Sequence, residues 1–401
     1  MKDMEVVEAL PSDECRGKRV KSRWVEGERT KSDGTMFVRS RLVAQEVNTF
    51  VREDVSAGTP PLLAVRLLIS LCASQAGRRL LSLHDAEVAF FHASADEEMT
   101  IIPPKGAVPV GQLWQLKKAL YGTRRAAKLW QEFLATVLVG AGWRRIICVP
   151  NCYHHDELGS TTIIHGDDLL SEGTAEALDR LDQVLAEKVR IKILGRIGPG
   201  AGTHGRFLKR HIEYVNGVFI YYGDEAHVWA AAAALGVQNG NGAVSPGTKA
   251  TGESSRDSLE PLGWQPAATV ASAGGCVMYA ALDRPDIQFA AKTVMADASA
   301  PMNITEARLK RLVRYMMAAP RVEWHFPVQK LPTTVVGYSD SDWAGDRSTR
   351  RSTSGMIITF GAHPIDASSS TQACIALSSG EAELYAMGKA AASTILAAHL
   401  L

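Results

Sequence analysis

Two adjacent aspartates set between apolar runs constrain this chain more than any other feature. In TTIIHGDDLLSEG (residues 161–173), Thr161 to Ile164 and Leu169–Leu170 read as strands. HGDD between them reads as a tight hairpin turn, with Gly166 free to take a positive φ. Asp-rich turns are common, so the segment alone leaves an ordinary turn and a chemical centre both open.

A second segment, LLSLHDAEVAFFHA, carries Asp85 at the end of an apolar, strand-like run. Two strands ending in carboxylates can converge on one site. Carboxylate oxygens suit Mg²⁺, a hard cation held by one or two carboxylates plus substrate phosphates. Two such ions about 4 Å apart can activate a 3′-hydroxyl and stabilise a departing pyrophosphate. Asp85 and Asp167 would be direct ligands in that arrangement, and Asp168 a weaker ligand or a structural partner.

The 401 residues are 46% hydrophobic and 22% charged, enough apolar material for two or three globular domains. The net charge of +1 lacks the large positive balance of many nucleic-acid binders, yet the basic residues cluster. Arg16, Lys18, Arg19, Lys21 and Arg23 form one group, and Lys117, Lys118, Arg124, Arg125 and Lys128 a second. Arg308, Lys310, Arg311 and Arg314 form a third. Each group reads equally as a phosphate-holding surface or a solvated face. The six cysteines are scattered, form no disulfide framework and fit a reducing, intracellular setting. The acidic start MKDMEVVEALPSDE is no signal peptide, and no run reaches transmembrane length.

Residues 231–262 are rich in Ala, Gly, Ser and Asn and read as a linker or exposed loop. Residues 267–318 are mainly helical by pattern, with Ala307, Leu309, Leu312, Val313 and Met316 at helical spacing. Further on, TTVVGYSDSDW, GMIITFG and ACIALSS read as three strands, and GEAELYAMGKAAASTILAAHLL as a helix. Cys148, Cys152, His154 and His155 invite a zinc reading. Their spacing is short and no second ligand pair lies nearby, so a strand with polar decoration is preferred.

Several blocks, in order, resemble the copia-type retrotransposon Pol polyprotein. KSRWVEGERTKSDGTMFVRSRLVAQEV is similar to its opening fingers hairpin, and LHDAEVAFFHASADEEMTIIPPKG to the segment with the first catalytic aspartate. LWQLKKALYGTRRAAKLWQEFL resembles the Leu-Lys-Lys-Ser-Leu-Tyr-Gly-Leu-Lys-Gln-Ala-Pro block, and IIHGDDLL sits where the family has Tyr-Val-Asp-Asp. LDRPDIQFAAKTV resembles the Thr-Arg-Pro-Asp-Ile block of the connection. GYSDSDWAGDRSTRRSTSG and ALSSGEAELYAM resemble the opening of the RNase H domain.

The resemblance implies an α+β chain with three parts. They are a reverse transcriptase with fingers and palm over 1–225, a linker and connection over 226–330, and the N-terminal part of an RNase H-like α/β domain over 331–401. It implies RNA-directed DNA polymerase activity with Mg²⁺ or Mn²⁺ on Asp85, Asp167 and Asp168. Lys31 and Arg41 would contact the triphosphate, Phe90 would be a steric gate, and Tyr121 and Gly122 would pack near the incoming nucleotide. For Lys31, Arg41 and Tyr121, surface charge or a packed aromatic is the alternative. Asp340 and Glu383 would be RNase H carboxylates and metal ligands, with Glu381 pointing elsewhere and Asp342 a turn residue. The implied partners are an RNA or DNA template-primer, deoxynucleoside triphosphates and further polyprotein segments that this chain lacks. No membrane is implied. The implied setting is intracellular, cytoplasmic and particle-associated, with a nuclear phase left open.

This chain departs from the pattern at His165–Gly166, at Arg125–Ala126–Ala127 in place of Gln-Ala-Pro, and at Asp283 in place of Thr. It ends at Leu401, soon after Glu383, so an incomplete RNase H-like segment without RNase H activity is expected. A fragment, a degenerate copy or a truncated gene would each account for that end. Two alternatives to the polymerase follow: a catalytically dead remnant that at most binds nucleic acid, and an unrelated metal-dependent hydrolase.

Overall fold

A computed structural model describes residues 2–30, 34–47, 55, 57–75, 79–247 and 259–401. In chain order the described residues first form β1 (Val7–Pro11), β2 (Lys18–Thr30), β3 (Met36–Ala44), α1 (Leu62–Ala73), β4 (Leu80–Ala86), β5 (Met99–Ile102), β6 (Gln112–Leu116) and α2 (Ala126–Gly140). There follow β7 (Arg144–Arg145), β8 (Cys152–His155), β9 (Ser160–His165), β10 (Asp168–Gly173), α3 (Ala175–Lys188) and β11 (Ile191–Ile197). Next come β12 (His204–Phe207), β13 (Arg210–Val215), β14 (Val218–Gly223), α4 (Ala226–Leu235), α5 (Trp264–Ala280), α6 (Pro285–Met295) and α7 (Asn303–Ala318). The last elements are β15 (Trp324–Phe326), β16 (Val335–Asp342), β17 (Thr353–Phe360), β18 (His363–Thr371) and α8 (Ser379–Leu400). This mixed composition of helices and sheets agrees with the expected class.

The chain divides into two compact units, Met1–Pro60 with Ser82–Leu194, and Pro61–Leu81 with Gly195–Leu401. In the first unit, one sheet has the order β1-β6-β5-β2-β3, in which β2 and β3 form a long antiparallel hairpin. A second sheet has the order β11-β4-β10-β9-β8-β7, to which this unit contributes the residues of β4 from Ser82 and of β11 up to Leu194. Strands β9 and β10 are buried along most of their length, which explains their unbroken apolar and small-polar sequence. Helix α3 starts where the Thr174 side chain accepts the Ala177 N–H. It turns Leu178, Leu181, Val184 and Leu185 inward at helical spacing. Leu181, Val184 and Leu185 share a core with Trp130, Leu134 and Leu138 of α2.

In the second unit, α4, α5, α6 and α7 enclose a core built from Val228, Val270, Val277, Ile287, Leu309, Leu312, Val313 and Met316. Each large aliphatic side chain buried there contributes on the order of 1.5–3 kcal/mol. The sheet β12-β13-β14-β15 and the sheet β16-β17-β18 complete the unit.

Three sequence expectations need correction. The Ala-rich run at 231–235 is the end of helix α4 rather than linker, because alanine has the highest helix propensity and Ala231, Ala232 and Leu235 are buried. The buried face of α7 takes Thr305, whereas Ala307 is exposed. ACIALSS is not the third strand. That strand is β18, whose Ser-rich sequence pairs with β17 along its length, while the apolar run leads only to the Ser378 N-cap of α8. There the hairpin pairing outweighs side-chain character.

Candidate active site

The sheet order places β4 beside β10, and the backbone N–H of Ala86 donates to the carbonyl of Asp167 at 2.7 Å. The carboxylate at the end of β4 therefore stands next to the turn that carries the acidic pair. That turn is a two-residue hairpin loop, since His165 pairs with Asp168. Gly166 takes a φ of 61°, whereas Asp167 is not among the residues with positive φ. A glycine first in such a loop is the type II′ pattern, whose twist suits the flanking strands.

Asp85 and Asp168 titrate above the ordinary carboxylate range. Burial is the main cause for Asp85, followed by repulsion from Asp167, while Arg39 and Lys192 pull it back down. Asp168 is pushed up to about 6 by burial, then by Asp167 and Asp85. The three carboxyl groups thus feel one another across the strand junction.

An aromatic and cationic wall adjoins them. The rings of Phe90 and Tyr121 lie 4.6 Å apart, and those of Phe91 and Tyr121 5.6 Å apart. The Arg41 guanidinium sits 5.7 Å from the Tyr121 ring centre. Burial and then Asp167 raise the Tyr121 phenol, while Arg41 and Arg39 oppose the shift. Gly122 joins this wall to β3: its φ is 85°, and a Cβ there would lie 2.0 Å from the Ala44 carbonyl oxygen. Only glycine permits that approach, which lets Ala44 N–H donate to the Tyr121 carbonyl at 2.7 Å. Arg41, Phe90, Tyr121 and Gly122 are thus brought together with Asp85 and Asp167. Lys31 lies outside the described residues.

Residues 3–203 match the family model for reverse transcriptase (RNA-dependent DNA polymerase). The chain belongs to the reverse transcriptase family. The Pol polyprotein of transposon RE1 from Arabidopsis thaliana is 24% identical over 376 residues, covering 90% of this chain and 24% of that protein. Its counterpart from transposon RE2 of the same plant is 26% identical over 379 residues, covering 90% and 24%. The Pol polyprotein of transposon TNT 1-94 from Nicotiana tabacum is 25% identical over 397 residues, covering 92% and 28%. The chain spans about a quarter of the length of these curated relatives. The copia-type resemblance drawn from the sequence blocks is borne out.

Three contributors to this candidate site escaped the sequence reading. Trp130 on α2 is buried and donates its indole N–H to the Gly166 carbonyl at 2.7 Å, clamping the hairpin loop. Arg39 shares a face of β3 with Arg41, two residues on, and its charge reaches Asp85 and Tyr121. Lys192 at the start of β11 acts on Asp85 as well. The period-two alternation of β3 was the available signal for Arg39; for Trp130 and Lys192 the sequence carried none. The link from Asp85 to Phe90 passes through Val88 at a φ of 49°, a left-handed conformation that costs a β-branched residue on the order of 1–3 kcal/mol.

Among the described residues, no group of three or more His, Cys, Asp or Glu side chains is gathered closely enough to hold a metal ion. The three aspartates are electrostatic neighbours and not a closed cage. Their chemistry still fits a hard divalent cation, because they are oxygen donors whose mutual repulsion a cation would relieve.

In the second unit, Asp340 is exposed on β16, and the Glu383 carboxylate accepts the N–H of the next residue, Ser341, at 3.3 Å. Glu381 turns away to accept the Leu377 N–H at 2.7 Å and the Tyr385 hydroxyl at 3.0 Å. Asp342 accepts the Thr353 N–H. At the former zinc candidates, Cys152 is buried with its thiol pushed up to about 12, chiefly by burial. His154 bonds Thr161 at 2.9 Å and His155 packs edge-on against Trp143. They decorate and pack strand β8, as preferred from the spacing. The basic clusters are partly compensated: Lys18 pairs with Glu46, Lys117 with Glu8, Arg125 with Asp96 and Lys310 with Glu306.

Proposed function

We propose that this chain is an RNA-directed DNA polymerase of a copia-type retrotransposon, extending a primer on an RNA or DNA template from deoxynucleoside triphosphates. The observation that carries the reading is the hydrogen bond from Ala86 to Asp167, beside which burial and then the Asp167 charge raise both Asp85 and Asp168. Asp85 and Asp167 would hold Mg²⁺ or Mn²⁺, with Asp168 as a weaker ligand. The ion, when bound, supplies Lewis-acid stabilisation of the leaving pyrophosphate and acidifies the 3′-hydroxyl. Arg41, together with Lys31, offers guanidinium and ammonium charge to the triphosphate as negative charge develops. Phe90, packed on Tyr121, forms the wall against which a ribose 2′-hydroxyl would clash. Gly122 holds Tyr121 against β3.

The same reading assigns 1–225 to fingers and palm, 226–330 to linker and connection, and 331–401 to an RNase H-like segment with Asp340 and Glu383 as its carboxylates. Other polyprotein segments and a cytoplasmic, particle-associated setting belong to it too. Among the described residues no helix is long and apolar enough to cross a membrane.

The second reading, a remnant that binds nucleic acid without polymerising, draws on the open arrangement of the aspartates. Primer extension separates the two. Extension on an RNA template that needs Mg²⁺ or Mn²⁺ and disappears in Asp167→Asn is the expected result. A folded protein that binds template but never extends the primer would establish the remnant.

A further inference from the structure

We propose that the turn joining β16 to β17 docks the phosphodiester backbone of a single-stranded nucleic acid, an inference that rests on the polymerase reading. Arg347, Arg350 and Arg351 fall within five positions of this turn, and all three are exposed. Among the described residues none of these guanidinium groups pairs with a carboxylate. The acid nearest in sequence, Asp346, is occupied by the turn itself. Its carboxylate accepts the Ser348 N–H at 2.9 Å, the Ser348 hydroxyl at 2.7 Å and the Thr349 hydroxyl at 2.6 Å. Those bonds, the Thr349 and Ser348 hydroxyls first, hold the Asp346 carboxyl down at about 2, so it stays an anion committed to the turn.

The turn is braced as well. Arg350 N–H donates to the Asp346 carbonyl at 2.8 Å, Asp346 N–H to the Arg351 carbonyl at 3.2 Å, and Ala344 N–H to the buried Ser352 hydroxyl at 2.9 Å. Three guanidinium forks are therefore presented from an ordered support, which lowers the entropy lost when they grip a ligand. The planar fork matches a phosphate through two parallel hydrogen bonds. Trp343 stands at the entry to the turn, 51% exposed, with its indole N–H anchored on the Ala376 carbonyl at 3.1 Å. A fixed, open indole beside uncompensated arginines is the pairing that holds unstacked bases along a charged strand. Duplex DNA would offer the phosphates and no free base face.

The test is the salt dependence of binding to a labelled 20-nucleotide RNA, read by fluorescence anisotropy. Every phosphate that an arginine no longer neutralises should lower the slope of log affinity against log salt by about 0.7 for a single strand. The full chain carrying Arg347→Gln, Arg350→Gln and Arg351→Gln should show a slope shallower by about 2. Trp343→Ala should weaken binding roughly 10- to 100-fold with the slope unchanged. A slope unaltered in the triple variant overturns the proposal, as does an equal drop on neutralising Lys330, an exposed lysine of the same unit. Arginine-dependent binding to phosphatidylserine vesicles, with RNA binding intact, overturns it too. Primer extension by the same preparations keeps the two readings apart: loss of extension with the slope change retained refutes only the polymerase.

Discussion

Replacing Asp283 by Asn tests how the second unit is held together. Asp283 stands where the copia-type block carries threonine, and it is 2% exposed. Its carboxylate accepts Arg66 Nη2 at 2.9 Å, Arg210 Nε at 2.9 Å and the Tyr221 hydroxyl at 2.7 Å. Both arginines are buried, at 1% and 5% exposure. Removing one partner of a buried pair costs about 3–5 kcal/mol, because the remaining charge is stranded away from water. Arg66 keeps the Leu282 carbonyl at 2.6 Å and Asp366 at 3.6 Å, and Arg210 keeps Leu208 and Tyr279 at 2.7 Å each. Those residual partners place the loss at the lower end, about 3 kcal/mol. Hydrogen–deuterium exchange of peptides from β13 and β14 should then accelerate roughly 100-fold, at tenfold per 1.4 kcal/mol. Acceleration below about threefold would refute the reasoning, since it would mean that the guanidinium groups find other partners or water. Adding Arg210→Met should cost less than the two separate losses combined, by about 1 kcal/mol or more, because the pair is one unit.

Trp130→Phe removes the clamp on the Gly166 carbonyl; stability should fall by about 1 kcal/mol, while primer extension slows about tenfold or more as the acidic loop loses its anchor. Equal extension rates would show that the loop needs no clamp. Gly122→Ala forces a Cβ to within 2.0 Å of the Ala44 carbonyl and 2.5 Å of Val43, and urea unfolding should report a loss of about 2–4 kcal/mol. His363 supplies a pH dependence: burial lowers its pKa, and its ring is bonded to Ser70 at 2.8 Å, Gln329 at 2.8 Å and the Pro327 carbonyl at 2.7 Å. The unfolded chain binds a proton as pH falls through about 6.5 while folded His363 does not, so stability should decline below that pH until the folded imidazole also titrates. His363→Gln should flatten this slope in urea midpoints measured from pH 7.5 to 5, and an unchanged slope would assign it to other groups.

The acidic hairpin was legible because its signals are local. Apolar runs bracket HGDD, and a glycine in first place suits a two-residue type II′ loop. The helices at 264–318 were legible for the same reason, through spacing alone. The strand β18 was not, since its apolar content is low and its stability comes from pairing with β17. Helix α4 was hidden by a composition that suits both a linker and a helix, and only burial of Ala231 and Ala232 distinguishes them.

The same contrast divides the candidate site. Asp85, Asp167 and Asp168 could be named from the sequence because their chemistry is in their own side chains. What tunes them comes from elsewhere along the chain: Arg39 and Lys192 lower Asp85 from strands far apart in sequence, and Trp130 fixes the loop from a helix. Asp283 carries the point furthest. Read alone, its exchange for threonine looks like decay of a motif. In the fold it meets Arg66, 217 residues away, and Arg210, 73 residues away, and the three form a compensated buried cluster. A buried carboxylate without those arginines would be costly, and the arginines without it would be costlier still. A departure from a family block therefore counts as damage only where the fold gives the new side chain no partners. The glycine in HGDD follows the same logic: it closes a type II′ loop whose carbonyl is held by Trp130, so the freedom it introduces is restrained at the residue where it enters.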